Sequence, residues 1–161
     1  MTIEDLAHAW ELFLIYHQRT WNKAEGYYKG QPYWKKLLPK YASERKNDPV
    51  LVYVQQARHV DEHGLDSITQ VQQSSTTVLG GTAMGGSVIT GGQAPQLAAG
   101  STLQYRINPA TILSKPVVNR QVTFPPPLLN GRAAPPVLDI AIQALQFYQR
   151  LFAEIDVAGG D

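Results

Sequence analysis

Two imidazoles, two carboxylates and one guanidinium lie in the short stretch from Arg58 to His63. Arginine binds phosphate and carboxylate groups through paired hydrogen bonds, and histidine titrates close to neutral pH. A helix would place these side chains within about one and a half turns. The stretch therefore contains the groups for three kinds of site: a pair that cleaves phosphodiesters, a metal site, or a structural charge cluster.

The first interpretation pairs Arg58 with His63. A fixed guanidinium stabilises charge that develops on a phosphate, and a histidine transfers the proton. This Arg-x4-His arrangement, with a polar residue after the arginine and Gly64 after the histidine, resembles the signature of the HEPN superfamily of small helical-bundle proteins. The resemblance implies a homodimer in which both motifs meet and metal-independent RNA cleavage. It implies that Arg58 holds the scissile phosphate, that His63 moves the proton, and that His59 occupies the polar position between them.

The second interpretation takes His59, Glu62 and His63 as part of a zinc site, because His-x-x-Glu-His matches the inverted zinc-protease pattern. Histidines four apart share one helix face and can reach one metal, with the glutamate as the base that activates water. A catalytic zinc needs a third protein ligand, and the candidates are Asp66, Asp139 and Glu154. Only this alternative predicts a metal; the first predicts no cofactor.

The third interpretation is structural. Arg58 and Glu62 are four residues apart, a spacing at which opposite charges pair on a helix surface. His63 would lie at the negative end of the helix, where a cation is favoured. In this case the protein is a non-enzymatic interaction module with a protein partner, and the charge cluster performs no chemistry.

The composition bounds the class of protein. A chain of 161 residues, 43% hydrophobic and 17% charged, predicts a single folded domain, 1–161. The absence of cysteine excludes disulfides, thiolate metal sites and cysteine nucleophiles. No signal sequence and no apolar run of membrane-spanning length is evident, which predicts a cytoplasmic protein without membrane contact.

A basic, aromatic region extends from Arg19 to Lys46. It holds eight basic residues against Glu25 and Glu44, and tryptophans and tyrosines alternate with the lysines. Such a composition suits the stacking of bases and the binding of phosphates, so RNA is a candidate partner. The alternative is that the aromatic residues form the core between packed helices and the lysines line its rim.

Two helical segments, 1–65 and 135–157, form the predicted body of an α+β fold. Thr2 and Asp5 resemble a capping box, and Asp48 with Pro49 predicts the start of a further helix that Gly64 ends. A second helix is predicted at about 33–46, and Pro39 is expected to kink or split it. The last helix, about 136–155, has one apolar face at Leu138, Ile142, Leu145, Tyr148, Phe152 and Ile155, widened by Ile140, Ala144, Phe147 and Leu151.

The segment 66–130 differs sharply and predicts a β-rich insert. Only four of its residues are charged, and Gly, Ser, Thr and Gln dominate. Residues 103–107 and 118–124 alternate apolar and polar side chains, the period of a strand. Between the strands, about 79–100, repeated Gly-Gly pairs predict a mobile loop or a wide hairpin tip.

Overall fold

The computed structural model of the protein describes residues 2–62, 68–79 and 104–160. The described chain is mainly helical with short antiparallel strands, which confirms the predicted α+β class. Its helices are α1 Ile3–Tyr28, α2 Pro32–Asn47, α3 Pro49–Glu62 and α4 Val137–Gly159. Its strands are β1 Thr69–Gln72, β2 Ser75–Leu79, β3 Gln104–Asn108, β4 Thr111–Ser114, β5 Val117–Asn119 and β6 Val122–Phe124.

The chain divides into two compact units, residues 1–70 with 112–161, and residues 71–111. The first unit contains the four helices and the β5–β6 hairpin. In the second unit β2 and β3 pair antiparallel, with Ser75 opposite Asn108 and Leu79 opposite Gln104. The predicted mobile loop, about 79–100, lies outside the described residues except for Leu79, which ends β2.

The predicted helix starts are confirmed. The Thr2 hydroxyl accepts a hydrogen bond from the Asp5 amide at 3.0 Å, and the Asp5 carboxylate accepts one from the Thr2 amide at 2.7 Å. The Asp48 carboxylate accepts hydrogen bonds from the amides of Val50 and Leu51 at 2.8 and 3.1 Å. Both carboxylates therefore satisfy amides that have no partner within the helix. The predicted stop at Gly64 lies outside the described residues.

Pro39 does not split α2, which is continuous from Pro32 to Asn47. A proline removes one backbone hydrogen bond from a helix interior and normally interrupts it. Here Trp34 and Tyr41, on either side of the proline, are each only 1% exposed. Their burial holds both halves of the helix on the same core.

The core of the helical unit is aromatic. The Phe147 ring of α4 lies 6.1 Å from Trp21 of α1 and 5.5 Å from Tyr41 of α2, measured between ring centroids. Trp34 of α2 also contacts Trp21, at 6.1 Å. Three helices thus meet through rings, and most aromatic residues of the basic region belong to packing, as the alternative interpretation expected.

The structure corrects the predicted apolar face of α4. Leu138, Ile142 and Leu145 are 50%, 48% and 48% exposed, whereas Phe147 is 1% exposed. The buried stripe is Val137, Ile140, Ala144, Phe147, Tyr148, Leu151 and Ile155. α4 is apolar around more than half of its circumference, so its periodicity does not distinguish the side that packs on the other helices from the side that does not.

The predicted strand at 118–124 is two strands. β5 and β6 form a hairpin in which Val117 lies opposite Phe124, and Arg120 and Gln121 make the turn. Both turn residues have positive φ, 49° and 67°. That pair of angles characterises the tight hairpin turn usually formed by Asn-Gly, so the sequence lacks its common signal.

None of the helices in the described ranges combines the length and apolarity needed to cross a lipid bilayer.

Candidate anion-binding cleft

An open cleft of about 630 Å³ lies in the helical unit, between α3, α1 and the β5–β6 hairpin. We call it the hairpin cleft. Its described lining residues are Gln18, Gln55, Gln56, Arg58, His59, Asn119, Arg120, Val122 and Phe124. Two arginines, one histidine and four amides thus surround it, and no carboxylate is among the described residues that line it.

The α3 wall presents two of the sequence-predicted site residues. Ala57 and Val60 are 0% and 3% exposed and fix the side of α3 that faces the core. Arg58 and His59 lie on the adjacent side, where Arg58 is half-buried, His59 is exposed, and both line the cleft. The core contacts of α3 therefore orient the guanidinium and the imidazole toward one space.

The opposite wall is the β5–β6 hairpin. Asn119 donates a hydrogen bond from Nδ2 to Oε1 of Gln56 on α3, at 2.7 Å. Just before β5, the Lys115 carbonyl accepts a hydrogen bond from the Tyr53 hydroxyl at 2.8 Å. Burial raises the pKa of Tyr53, which keeps that hydroxyl protonated as a donor. These two bonds hold the hairpin against α3, so Arg120 at its turn borders the same cleft as Arg58.

The hairpin turn stores backbone strain. A left-handed conformation costs a residue with a side chain about 1 to 2 kcal/mol, and Arg120 and Gln121 both adopt it. Such strain persists only where surrounding contacts impose it, and it is frequent at ligand sites. Here the Asn119 to Gln56 hydrogen bond and the buried Val117 supply the constraint.

Replacing Gln121 by glycine is expected to raise the free energy of unfolding by about 1 kcal/mol, because glycine adopts positive φ without steric cost. The matched control is Gln143→Gly on an exposed position of α4, where glycine should lower stability by about 1 kcal/mol. Urea unfolding measures both. A loss of stability in Gln121→Gly would show that the left-handed turn is not strained.

A buried arginine, Arg45, holds two of the lining amide side chains in place. Arg45 is 8% exposed and its guanidinium lies 4.2 Å from the centre of the Trp21 ring. Its Nη2 donates to Oε1 of Gln18 at 3.1 Å, and its carbonyl accepts from Nε2 of Gln55 at 3.0 Å. Burial lowers the pKa of Arg45 from its ordinary value, yet an arginine remains charged at neutral pH. Arg45 thus positions two lining amides and adds a cation behind them.

Two other predicted site residues, Glu62 and His63, are described only in part or not at all. His63 is outside the described residues, and for Glu62 the structure gives the helix but not the side chain. The pairing of Arg58 with His63, its alternative pairing with Glu62, and the complete zinc triad therefore stay predictions. Within the described ranges no group of three or more potential ligands lies close enough to hold a metal.

The carboxylates considered as a third zinc ligand have separate roles. Glu154 forms an ion pair with Lys40, which lowers the pKa of that carboxyl group. Asp139 lies in the first turn of α4, where a negative charge is favoured. Asp66 is outside the described residues. Neither described carboxylate lines the hairpin cleft.

Of the nine described residues that line the cleft, the sequence predicted only Arg58 and His59 as site residues. Arg120, Asn119 and Gln56 were not predicted to be site residues, since they belong to a supposed strand and to an unremarkable helix face. One signal existed: Arg120 is among only four charged residues in 66–130, so its presence in that neutral segment is unusual. The turn that brings it to α3 was not inferable from the alternation.

In comparisons with known proteins, no family model, no curated protein and no solved structure matches the chain. The class that the fold defines is a mainly helical α+β protein.

Proposed function

We propose that this chain is a small HEPN-like protein that binds single-stranded RNA in the hairpin cleft. The observation that carries the proposal is the convergence of Arg58 and His59 from α3 with Arg120 from the hairpin turn on one open space. Two guanidinium groups that line one cleft suit a phosphodiester, because each can form paired hydrogen bonds with its oxygens. The Arg45 cation behind the amides adds to the positive potential.

The remaining lining supports a nucleotide rather than an isolated anion. Amide side chains both donate and accept hydrogen bonds, so Gln18, Gln55 and Gln56 can contact base edges. Phe124 is half-buried and Val122 exposed, and they give the hairpin wall an apolar part against which a base can pack. Double-stranded RNA hides these base edges in its grooves, which favours a single strand.

Two further parts of the proposal come from the HEPN resemblance. The Arg58 and His63 pair is proposed to cleave the bound RNA without a metal, with the arginine on the scissile phosphate and the histidine transferring the proton. The protein is also proposed to act as a homodimer. His59 then lies beside the phosphate, to which a ring N–H can donate a hydrogen bond.

RNA binding is expected to weaken by about tenfold when either cleft arginine is removed, since each loses a charge-assisted phosphate contact. The variants are Arg58→Ala and Arg120→Asn, the latter chosen because asparagine tolerates the left-handed turn. Anisotropy of a labelled single-stranded oligoribonucleotide, in EDTA and at several salt concentrations, gives the affinity; the binding comparison is made in proteins that also carry His63→Ala, so that the RNA stays uncut. The slope of log K against log salt should fall by about one per arginine.

The matched control is Arg132→Ala, which removes the same charge from an exposed position outside the cleft. Equal loss in all three variants would reduce the effect to net charge and contradict the cleft. A wild-type protein that binds no RNA would instead favour the non-enzymatic partner module.

The same oligonucleotide, labelled at both ends, separates cleavage from binding. In EDTA the wild-type chain should cut it, Arg58→Ala and His63→Ala should each abolish cutting, and His63→Ala should still bind. Cutting that survives both substitutions removes the nuclease mechanism, whereas binding without cutting leaves an RNA-binding module.

A further inference from the structure

A second, smaller pocket lies between α1, α2 and α3 of the helical unit, next to the hairpin cleft. It has a volume of about 260 Å³, and we call it the Arg45 pocket. Its lining residues are Trp21 and Glu25 of α1, Leu38, Ala42, Arg45 and Lys46 of α2, and Gln55 of α3. Gln55 also lines the hairpin cleft, so the two cavities adjoin at this side chain.

Arg45 lines this pocket with most of its hydrogen-bond donors unused. The residue is 8% exposed, and a guanidinium has five N–H donors. Among the described residues its only side-chain acceptor is Oε1 of Gln18, which is bonded to Nη2, and the buried Nε has no partner. The Trp21 ring covers one face of the guanidinium at 4.2 Å. The remaining donors are therefore left for a group from outside the described chain.

The charge of Arg45 is unbalanced as well. Within the described ranges no carboxylate forms an ion pair with its guanidinium. Glu25 lines the same pocket but is exposed, and solvent screens the charge of an exposed group. A buried cation is costly unless an anion accompanies it. The pocket is therefore expected to attract an anion to Arg45.

Lys46 adds a second positive charge to the same pocket. It is exposed, lines the pocket directly after Arg45, and forms no ion pair in the part of the chain that the structure describes. A phosphate monoester carries about 1.5 to 2 negative charges at neutral pH, whereas a carboxylate carries one. Arginine binds phosphate through paired hydrogen bonds and lysine binds it as a point charge. The two cations together thus favour a phosphate monoester.

The size and the other walls of the pocket limit what the phosphate is attached to. Pockets for drug-sized ligands have about 300 to 1,000 Å³, so a pocket of about 260 Å³ takes a phosphate with a sugar and little more. The Glu25 carboxylate and the Gln55 amide can accept hydrogen bonds from sugar hydroxyls. Leu38 and Ala42 give the α2 wall an apolar part that suits the carbon atoms of the sugar.

We infer that the Arg45 pocket binds a phosphorylated sugar, with the phosphate monoester at Arg45 and Lys46 and the hydroxyls toward Glu25. Two sources share this chemistry. One is a free sugar phosphate, and the other is the phosphorylated end of an RNA strand whose neighbouring nucleotides lie in the hairpin cleft beyond Gln55. Only the second source rests on the proposed function, since the features of the pocket itself do not involve RNA.

An NMR titration of the full chain with ribose 5-phosphate tests the inference. The dissociation constant should be about 0.1 to 1 mM, as expected for a ligand of this size, and the Trp21 indole and Arg45 Nε–H signals should shift. Ribose without the phosphate should bind at least about tenfold more weakly. Lys46→Gln should weaken binding of the phosphate by about tenfold, because it removes one of the two cations. The matched control is Lys36→Gln, an exposed lysine of α2 outside the pocket, which should bind like the wild type.

Arg45→Met should abolish binding, and its circular dichroism must match the wild type; if it does not, the exposed Lys46→Gln variant decides. Equal weakening by Lys46→Gln and Lys36→Gln would reduce the effect to net charge and overturn the pocket. The pocket is also overturned if the wild type distinguishes neither ribose 5-phosphate from ribose nor a phosphorylated RNA end from a hydroxyl end.

Single-stranded oligoribonucleotides with a 5′-phosphate, a 3′-phosphate or neither separate the two sources, in proteins that carry His63→Ala. Binding that is about tenfold tighter for one phosphorylated end, with the advantage lost in Lys46→Gln, assigns the pocket to the RNA end. Equal binding of all three, together with binding of ribose 5-phosphate, assigns it to a free sugar phosphate. Ribose 5-phosphate that binds to a protein without RNA affinity, such as Arg120→Asn or the wild type itself, supports the pocket independently of the hairpin cleft.

Discussion

Replacing Phe147 by alanine is expected to lower the free energy of unfolding by about 4 kcal/mol, the middle of the range for an aromatic core truncation. The ring is 1% exposed and contacts the rings of three other residues. Trp21 and Tyr41 lie 6.1 and 5.5 Å away, and Tyr148 of the same helix 5.1 Å away. Large, rigid neighbours cannot collapse into the space, so most of it remains as a cavity.

Urea unfolding followed by tryptophan fluorescence measures this change. Tyr27→Ala is the matched control, because it removes an aromatic ring that is 80% exposed, and it should cost less than about 1 kcal/mol. A loss below about 2 kcal/mol for Phe147→Ala would mean that the three helices do not converge on this ring.

The starts of α1 and α3 were predictable because they depend on local chemistry. The Thr2 and Asp5 capping box and the Asp48 cap each involve hydrogen bonds between residues two or three apart, and the sequence displays both partners. Capping preferences act over a single turn and need no tertiary contact. The structure therefore confirms both predicted caps.

Two features were not predictable, for different reasons: which side of α4 is buried, and the conformation of the hairpin turn. Leu138 and Phe147 are both large and apolar, and only the positions of the other helices decide which is buried. At the turn, Arg120 and Gln121 have no intrinsic preference for positive φ. The hydrogen bond from Asn119 to Gln56 and the burial of Val117 impose it from outside the local sequence.

The candidate site divides in the same way. Arg58 and His59 were predicted because they stand close together in the sequence, and the structure places both in the cleft. Arg120 reaches the same cleft from about sixty residues later along the chain, through tertiary contacts alone. A motif identifies residues that share one helix, whereas the opposite wall of a site depends on the fold.

The stability of this protein should depend on pH through a buried histidine, His17. It is 3% exposed, its ring packs edge-on against Tyr148 at 5.1 Å, and its Nε2 has no hydrogen-bond partner among the described residues. Burial, followed by the charge of Arg45, lowers its pKa from 6.5 to about 4. At neutral pH the imidazole is therefore uncharged inside the helical unit, where protonation would place an ion beside another cation.

Since the folded pKa lies below the unfolded one, the unfolded chain binds the proton first as the pH falls. Stability from the neutral imidazole is complete above pH 6.5 and is lost between pH 6.5 and about 4. A shift of this size corresponds to about 3 kcal/mol at the acidic end of that window. His17→Leu places an apolar side chain at this buried position and should remove this part of the pH dependence of the free energy of unfolding.

The measurement is urea unfolding at several pH values between 7 and 4, with the His17→Leu result subtracted from the wild type. Aspartates and glutamates titrate in both proteins, so their contributions cancel in the difference. His8→Gln is the control, because it removes an exposed histidine from the same helix. A difference that stays flat across the window, or an NMR titration that places the His17 imidazole near pH 6.5, would show that solvent reaches this ring and that the contact between α1 and α4 is looser than its packing indicates.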